Sequence, residues 1–160
     1  MPPSFESDRL NLYSFAKLEQ IPEGQRVEID GLKSEEHSEL NSKRGGSVLK
    51  SYLQSHEEND SGCIIALNED TVLGFVEFIV QYPVITITYL VVAKQFRRRG
   101  VATVLYNRLI EVCGTNHPTA GRENPRIDSF ALPGDLAAKS FFESVGSKGN
   151  LIIMSKSLDG

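Results

Sequence analysis

An apolar run over residues 84–92 is followed at once by Gln95-Phe96-Arg97-Arg98-Arg99-Gly100, and then by an amphipathic stretch over residues 101–112. No other part of the chain constrains its folding as strongly. The apolar run reads as a strand and the 3.6-residue pattern after it as a helix, so a basic glycine turn lies where a strand hands over to a helix N-terminus. Such a terminus presents unpaired backbone N–H groups and the positive end of the helix dipole. Gly100 has no Cβ and lets the backbone approach a ligand closely. Three arginines bring forked donors suited to phosphate. The combination predicts an anion site, with a diphosphate as the fitting guest. A solvated basic turn or a nucleic-acid patch would use the same arginines. The net charge of −4 and the lack of aromatics interleaved with Lys or Arg speak against nucleic acid.

The rest of the chain reads as mixed α/β. Residues 9–15 alternate Leu10, Leu12 and Ser14 against Asn11, Tyr13 and Phe15, a first strand. Residues 22–46 are polar, with 35–40 as part of a short helix that Gly45-Gly46 ends. Ser47 is placed to cap a helix running to about residue 58, with Val48, Leu49, Tyr52 and Leu53 on one face. Strands are expected at 63–67, 72–81 and 84–92, with a turn at 68–71 and a break at Tyr82-Pro83. A helix over 99–112, a polar loop over 114–125 and a strand over 126–132 follow. Asp135 caps a helix over 135–145, and 151–155 is a last strand.

Two segments then resemble known signatures. Arg97-x-x-Gly100-x-Ala102 is similar to the pyrophosphate-binding loop of the GNAT superfamily of N-acetyltransferases, Gln/Arg-x-x-Gly-x-Gly/Ala. Asp135-x-x-Ala138-x-x-Phe141-Phe142-x-x-x-Gly146 resembles that family's Asn-x-x-Ala-x-x-Phe-Tyr-x-x-x-Gly, with Asp for Asn and Phe for Tyr. The order of elements agrees as well, from about Gly62 to the C-terminus. The resemblance implies a single mixed-sheet α/β domain of GNAT type over residues 1–160, with helices on both faces. It implies acetyl-CoA as co-substrate and N-acetyl transfer to a primary amine. It also implies that Arg97, Arg98, Arg99, Gly100, Val101 and Ala102 take the diphosphate. Leu90, Val91 and Val92 would line the pantetheine arm where a bulge splays the strands, with the Val92 N–H facing the thioester carbonyl. Asp135, Ala138 and Phe141 would border the cofactor on the other side.

The catalytic groups are less determined. A Lys-type amine titrates near 10.4, so a neutral amine at pH 7 costs about 4.6 kcal/mol. The family's Tyr acid is replaced by Phe142, and the strand at 84–92 carries no carboxylate. Three accounts follow. Glu77, a lone acid in an apolar strand, acts as base. Tyr89 or Tyr106 supplies the acid, or Thr86 and Thr88 hold a relay water. Or positioning suffices, because a thiol near pKa 8.5 leaves without full protonation. A CoA-binding module without catalysis is the alternative from another class.

Residues 1–81 hold 15 acids against 7 bases, and 82–160 hold 6 against 10. The basic half suits an anionic cofactor, and the acidic half suits a cationic acceptor: a protein Lys or N-terminus, a polyamine or an amino sugar. Cys63 and Cys113 lie in apolar segments outside any metal-ligand spacing, so buried thiols are expected and no metal. No apolar run reaches the roughly 20 residues that span a bilayer. Residues 1–6 lack the pattern of a signal peptide, so a cytoplasmic monomer or homodimer, away from membranes, is the expectation.

Overall fold

The computed structural model describes residues 10–55, 61–115 and 124–158. Arg9, residues 56–58 of the second expected helix and most of the expected loop over 114–125 lie outside the described residues.

Among the described residues, five strands form one mixed sheet. They are β1 (Asn11–Phe15), β2 (Ser61–Asn68), β3 (Thr71–Gln81), β4 (Val84–Val92) and β5 (Arg126–Asp128), in spatial order β1-β2-β3-β4-β5. The first four run antiparallel, and β5 lies parallel to β4. Strand β3 is buried on both faces from Val72 to Ile79, which explains its apolar run, broken only by Glu77. Strand β4 alternates buried and half-buried residues.

Helices cover both faces. Val101, Leu105, Tyr106 and Leu109 of α3 (Val101–Thr115) pack with Ile64, Leu73, Val76 and Ile87 on one face. Phe141, Phe142 and Val145, on or just after α4 (Leu136–Ser144), join them there. On the other face, Ile29 and Leu32 of α1 (Glu23–Asn41) and Leu49 and Leu53 of α2 (Gly46–Gln54) pack on Cys63, Ile65, Phe75, Tyr89 and Val91. Leu105, Leu109 and Phe75 are fully buried, and each such side chain contributes roughly 1.5–3 kcal/mol. No described helix is long and apolar enough to cross a membrane.

Four expectations are corrected. The polar stretch 22–46 holds a long helix, α1, rather than a short one near 35–40. Its buried Ile29 and Leu40 and half-buried Leu32 recur at helical spacing, but Gly24, Gly31 and many charges dilute the pattern. The helix predicted from 99 begins at Val101, because Arg98 (φ 62) and Gly100 (φ 84) sit in the left-handed region. The strand predicted over 126–132 ends at Asp128. Residues 151–155 form no strand; β5 is too short to serve as a ladder for them, and Leu151, Ile152 and Met154 are exposed.

The junction of α1 and α2 is tight. Gly45 takes φ 78, and a Cβ on Gly46 would stand 1.6 Å from the Leu40 carbonyl oxygen, so only glycine fits there. Helix α1 is tied down at its other end too: Glu28 Oε2 accepts the Val72 N–H at 2.7 Å, and Arg26 donates to the Glu19 carbonyl at 2.7 Å.

Candidate active site

The site begins with a defect in the sheet. Glu77 of β3 faces Tyr89 of β4, while the next residue, Phe78, faces Ile87. Thr88 is therefore the extra residue of a bulge, and its hydroxyl donates to the Glu77 carbonyl at 3.2 Å. On its other edge, β4 pairs with β5 only at Val84, Ile85 and Thr86. Beyond Thr86 the two strands part, and the β4 edge from Ile87 to Val92 faces a gap.

Strand alternation decides what this edge offers. Ala93 donates its N–H to the Leu73 carbonyl at 2.9 Å, on the β3 side. Successive backbone groups point to opposite edges, so the N–H groups of Leu90 and Val92 point into the gap and that of Val91 points to β3. Of the three residues expected along the pantetheine arm, Leu90 and Val92 offer backbone donors. Val91 contributes a buried side chain to the α1–α2 face.

At the end of β4 the chain makes a short 3₁₀ turn, Lys94–Phe96, before the basic loop. Arg97 is tied back: its Nε donates to the Val92 carbonyl at 3.0 Å, and its guanidinium lies 3.8 Å from Glu39. Its N–H goes to the Lys94 carbonyl. Arg99 lies over the Phe96 ring at 6.0 Å. Val104 is the first residue of α3 to bond back, to the Gly100 carbonyl at 3.1 Å, so the N–H groups of Val101, Ala102 and Thr103 emerge from the helix end. A Cβ built on Gly100 meets nothing within 4 Å. That open space, beside a helix N-terminus and a strand edge with outward N–H groups, fits a diphosphate with a pantetheine arm.

A cavity of about 100 Å³ lies at the bulge. Ile87 to Val91 of β4 form one wall, Phe130, Leu132, Asp135, Ala138 and Phe142 another, and Glu36, Leu40, Leu49 and Leu53 of α1 and α2 the third. Asp135 caps α4, accepting the Ala138 N–H at 3.1 Å, and pairs with Lys43 at 3.2 Å. Phe142, standing where the resemblance led one to expect Tyr, lines the cavity; Phe141 turns away and meets Tyr106 edge-on at 6.1 Å. Tyr106 belongs to the core under α3 and does not border the cavity.

Of the two residues favoured for chemistry, Tyr89 lines the cavity and Glu77 does not. Tyr89 is 6% exposed, its hydroxyl lies 2.8 Å from His37 Nε2, and Lys33 Nζ sits 5.0 Å above its ring. Glu77 is 4% exposed and forms an ion pair with Lys33. Burial pushes the Cys63 thiol, opposite Glu77, far above its ordinary value, and the Glu77 carboxylate adds to this. Cys113 is pushed up to about 11 by burial. Both thiols are protonated at neutral pH and unsuited to nucleophilic work.

The sequence profile of the acetyltransferase (GNAT) family matches residues 19–146. The chain belongs to this family. It is an acyltransferase, and acetyl-CoA is its co-substrate. No curated protein sequence matches the chain. Among solved structures, aminoglycoside N-acetyltransferase AAC(6')-Iy in complex with CoA is similar at 15% identity and a TM-score of 0.62, covering 92% of this chain and 98% of that one. The aminoglycoside acetyltransferase meta-AAC0020 from an uncultured soil metagenomic sample, in complex with trehalose, is similar at 16% identity and a TM-score of 0.62, over 96% and 99% of the two chains. At this identity the likeness concerns the fold alone.

In this acetyltransferase, Lys33, Glu36, His37 and Lys43 escaped sequence reasoning. All stand on or just after α1, whose helical pattern is weak. Glu36, Leu40 and Lys43 recur at steps of four and three, a signal readable only once the helix is granted.

Proposed function

We propose that the chain is one catalytic domain that transfers the acetyl group of acetyl-CoA to a primary amine on a cationic acceptor, such as a polyamine, an amino sugar, or a protein Lys or N-terminus. The observation that carries this reading is the open β4 edge, which presents the Leu90 and Val92 N–H groups in line with the exposed N-terminus of α3. When bound, acetyl-CoA supplies the activated acyl group.

This chain's residues do the rest. Val101 and Ala102 hold the diphosphate by N–H groups, Gly100 leaves it room, and Arg98 and Arg99 add charge; Arg97 fastens the loop to the end of β4. The Val92 N–H faces the reacting carbonyl, in the manner of an oxyanion hole. Asp135 and Ala138 fix the start of α4 on the cavity, and Phe141 packs that helix down. Tyr89, next to the bulge residue Thr88, is the proton donor, with His37 behind it. Glu77 acts through Lys33, which it holds over the Tyr89 ring. The acidic residues of α1 favour a cationic acceptor.

The test is release of free CoA from acetyl-CoA in the presence of varied amines. Release that requires an amine supports the reading. Tight acetyl-CoA binding without amine-dependent release would favour a CoA-binding module, which the apolar Phe142 in the cavity wall would then explain.

A further inference from the structure

Four carboxylates gather around the bulge and the cofactor loop, and three are matched by bases. Glu77 is held by Lys33. Glu39 lies 3.6 Å from Lys94 and 3.8 Å from Arg97. Asp135 is paired with Lys43 and caps α4. Glu36 is the fourth. It is half-buried on the side of α1 that closes the cavity, across from Thr88, Tyr89 and Leu90, and it makes no hydrogen bond or ion pair among the described residues. A carboxylate left without a partner in the wall of a cavity has its acceptor capacity free for a ligand.

We propose that Glu36 is the general base of the reaction: it receives the acceptor's ammonium in the cavity and takes a proton from it beside the β4 bulge. This rests on the acetyl-transfer reading above. The step balances as follows. The ammonium gives one proton to the Glu36 carboxylate, and the nitrogen lone pair forms the C–N bond to the acetyl carbon as the C–S bond breaks. The second nitrogen proton ends on the departing sulfur, giving the CoA thiol. Glu36 then returns its proton to solvent.

The surroundings tune Glu36 for the task. Burial, and then Glu39, raise its carboxyl above the ordinary value near 4.5; Lys43 and Arg97 pull it back, and Asp135 adds a smaller upward push. From β4, the Tyr89 side chain lines the same cavity. A carboxylate shifted in this direction is a better proton acceptor near neutrality than an ordinary one. The same shift has a stability consequence. A raised folded-state value makes the carboxylate's contribution favourable below the ordinary value, and that contribution is lost as pH rises through the folded value. At neutral pH the charged Glu36 therefore costs the fold something, as expected of a residue kept for function.

The test compares wild type with Glu36→Gln at saturating acetyl-CoA. The acceptors are spermidine, a deoxystreptamine aminoglycoside and a lysine peptide, from about pH 6 to about pH 10, where an ordinary amine begins to lose its own proton. The expected loss at neutral pH is about 10²- to 10⁴-fold in kcat/KM for the accepted amine. That loss should shrink as pH rises and the amine deprotonates unaided. The melting shift with acetyl-CoA should stay as in wild type. The variant should melt no lower than wild type at neutral pH and lose any advantage below the ordinary glutamate value. Wild-type kcat/KM in Glu36→Gln, or an equal loss at every pH, would overturn the assignment. If wild type releases CoA with none of these amines, the acetyl-transfer reading itself fails and Glu36 falls with it.

Discussion

The turn from β4 into α3 and the helix α1 border the same site but serve it with different atoms. The turn offers backbone: N–H groups of Leu90, Val92, Val101 and Ala102, and bare space at Gly100. Helix α1 offers side chains: Lys33, His37 and Glu39, each meeting a group far away in sequence, and Glu36, which lines the cavity opposite β4. Backbone donors tolerate almost any side chain provided the chain path is kept. Side-chain groups tolerate little, because one substitution removes the group itself. The cofactor half should therefore fail through changes of backbone geometry, and the acceptor half through single functional groups.

The largest expected effect is at the Lys33–Glu77 pair. Lys33→Met removes the ion-pair partner of a buried carboxylate and should cost about 3–5 kcal/mol by denaturant unfolding. Adding Glu77→Gln should recover most of it. If Glu77→Gln alone removes activity while the fold and Tyr89 stay in place, Glu77 does chemistry directly and the account of it as a support for Lys33 is wrong.

Gly46→Ala comes next. Its Cβ would collide with the Leu40 carbonyl and push apart the α1–α2 junction, at about 1–3 kcal/mol. Amine turnover should suffer more than acetyl-CoA binding; equal losses in both would erase the distinction between the two halves.

Tyr89→Phe removes the hydrogen bond to His37 and should cost about 1 kcal/mol in stability, with a larger fall in kcat than in acetyl-CoA affinity. Smallest is Asp135→Ala. Loss of the α4 cap should cost about 1 kcal/mol or less, read as a melting shift of a few degrees.

The same difference explains what was legible in the sequence. The strand over 84–92, the Arg97-to-Ala102 loop and the Asp135 cap are local patterns, and each is found where the residues indicated. The bulge at Thr88 and the parting of β4 from β5 leave no mark of their own in composition, because they depend on the partner strands' register. Glu77 stood out as a lone acid in an apolar strand, but its meaning lay in Lys33, 44 positions earlier. Helix α1 was hidden by its own polarity, and with it Glu36 and His37. The apolar residues over 151–155 suggested a last strand, yet a three-residue β5 gives it no edge to extend.

The most direct measurement is the melting temperature of wild type and Gly100→Glu, each with and without acetyl-CoA. Ligand at 100 times its dissociation constant should stabilise wild type by about 2.7 kcal/mol, a rise of roughly 5–10 degrees. In Gly100→Glu a negatively charged side chain enters the open space at the helix end, and the rise should vanish although the variant still melts cooperatively. An equal rise in both proteins would contradict the account, because acetyl-CoA would then be bound somewhere other than the turn between β4 and α3.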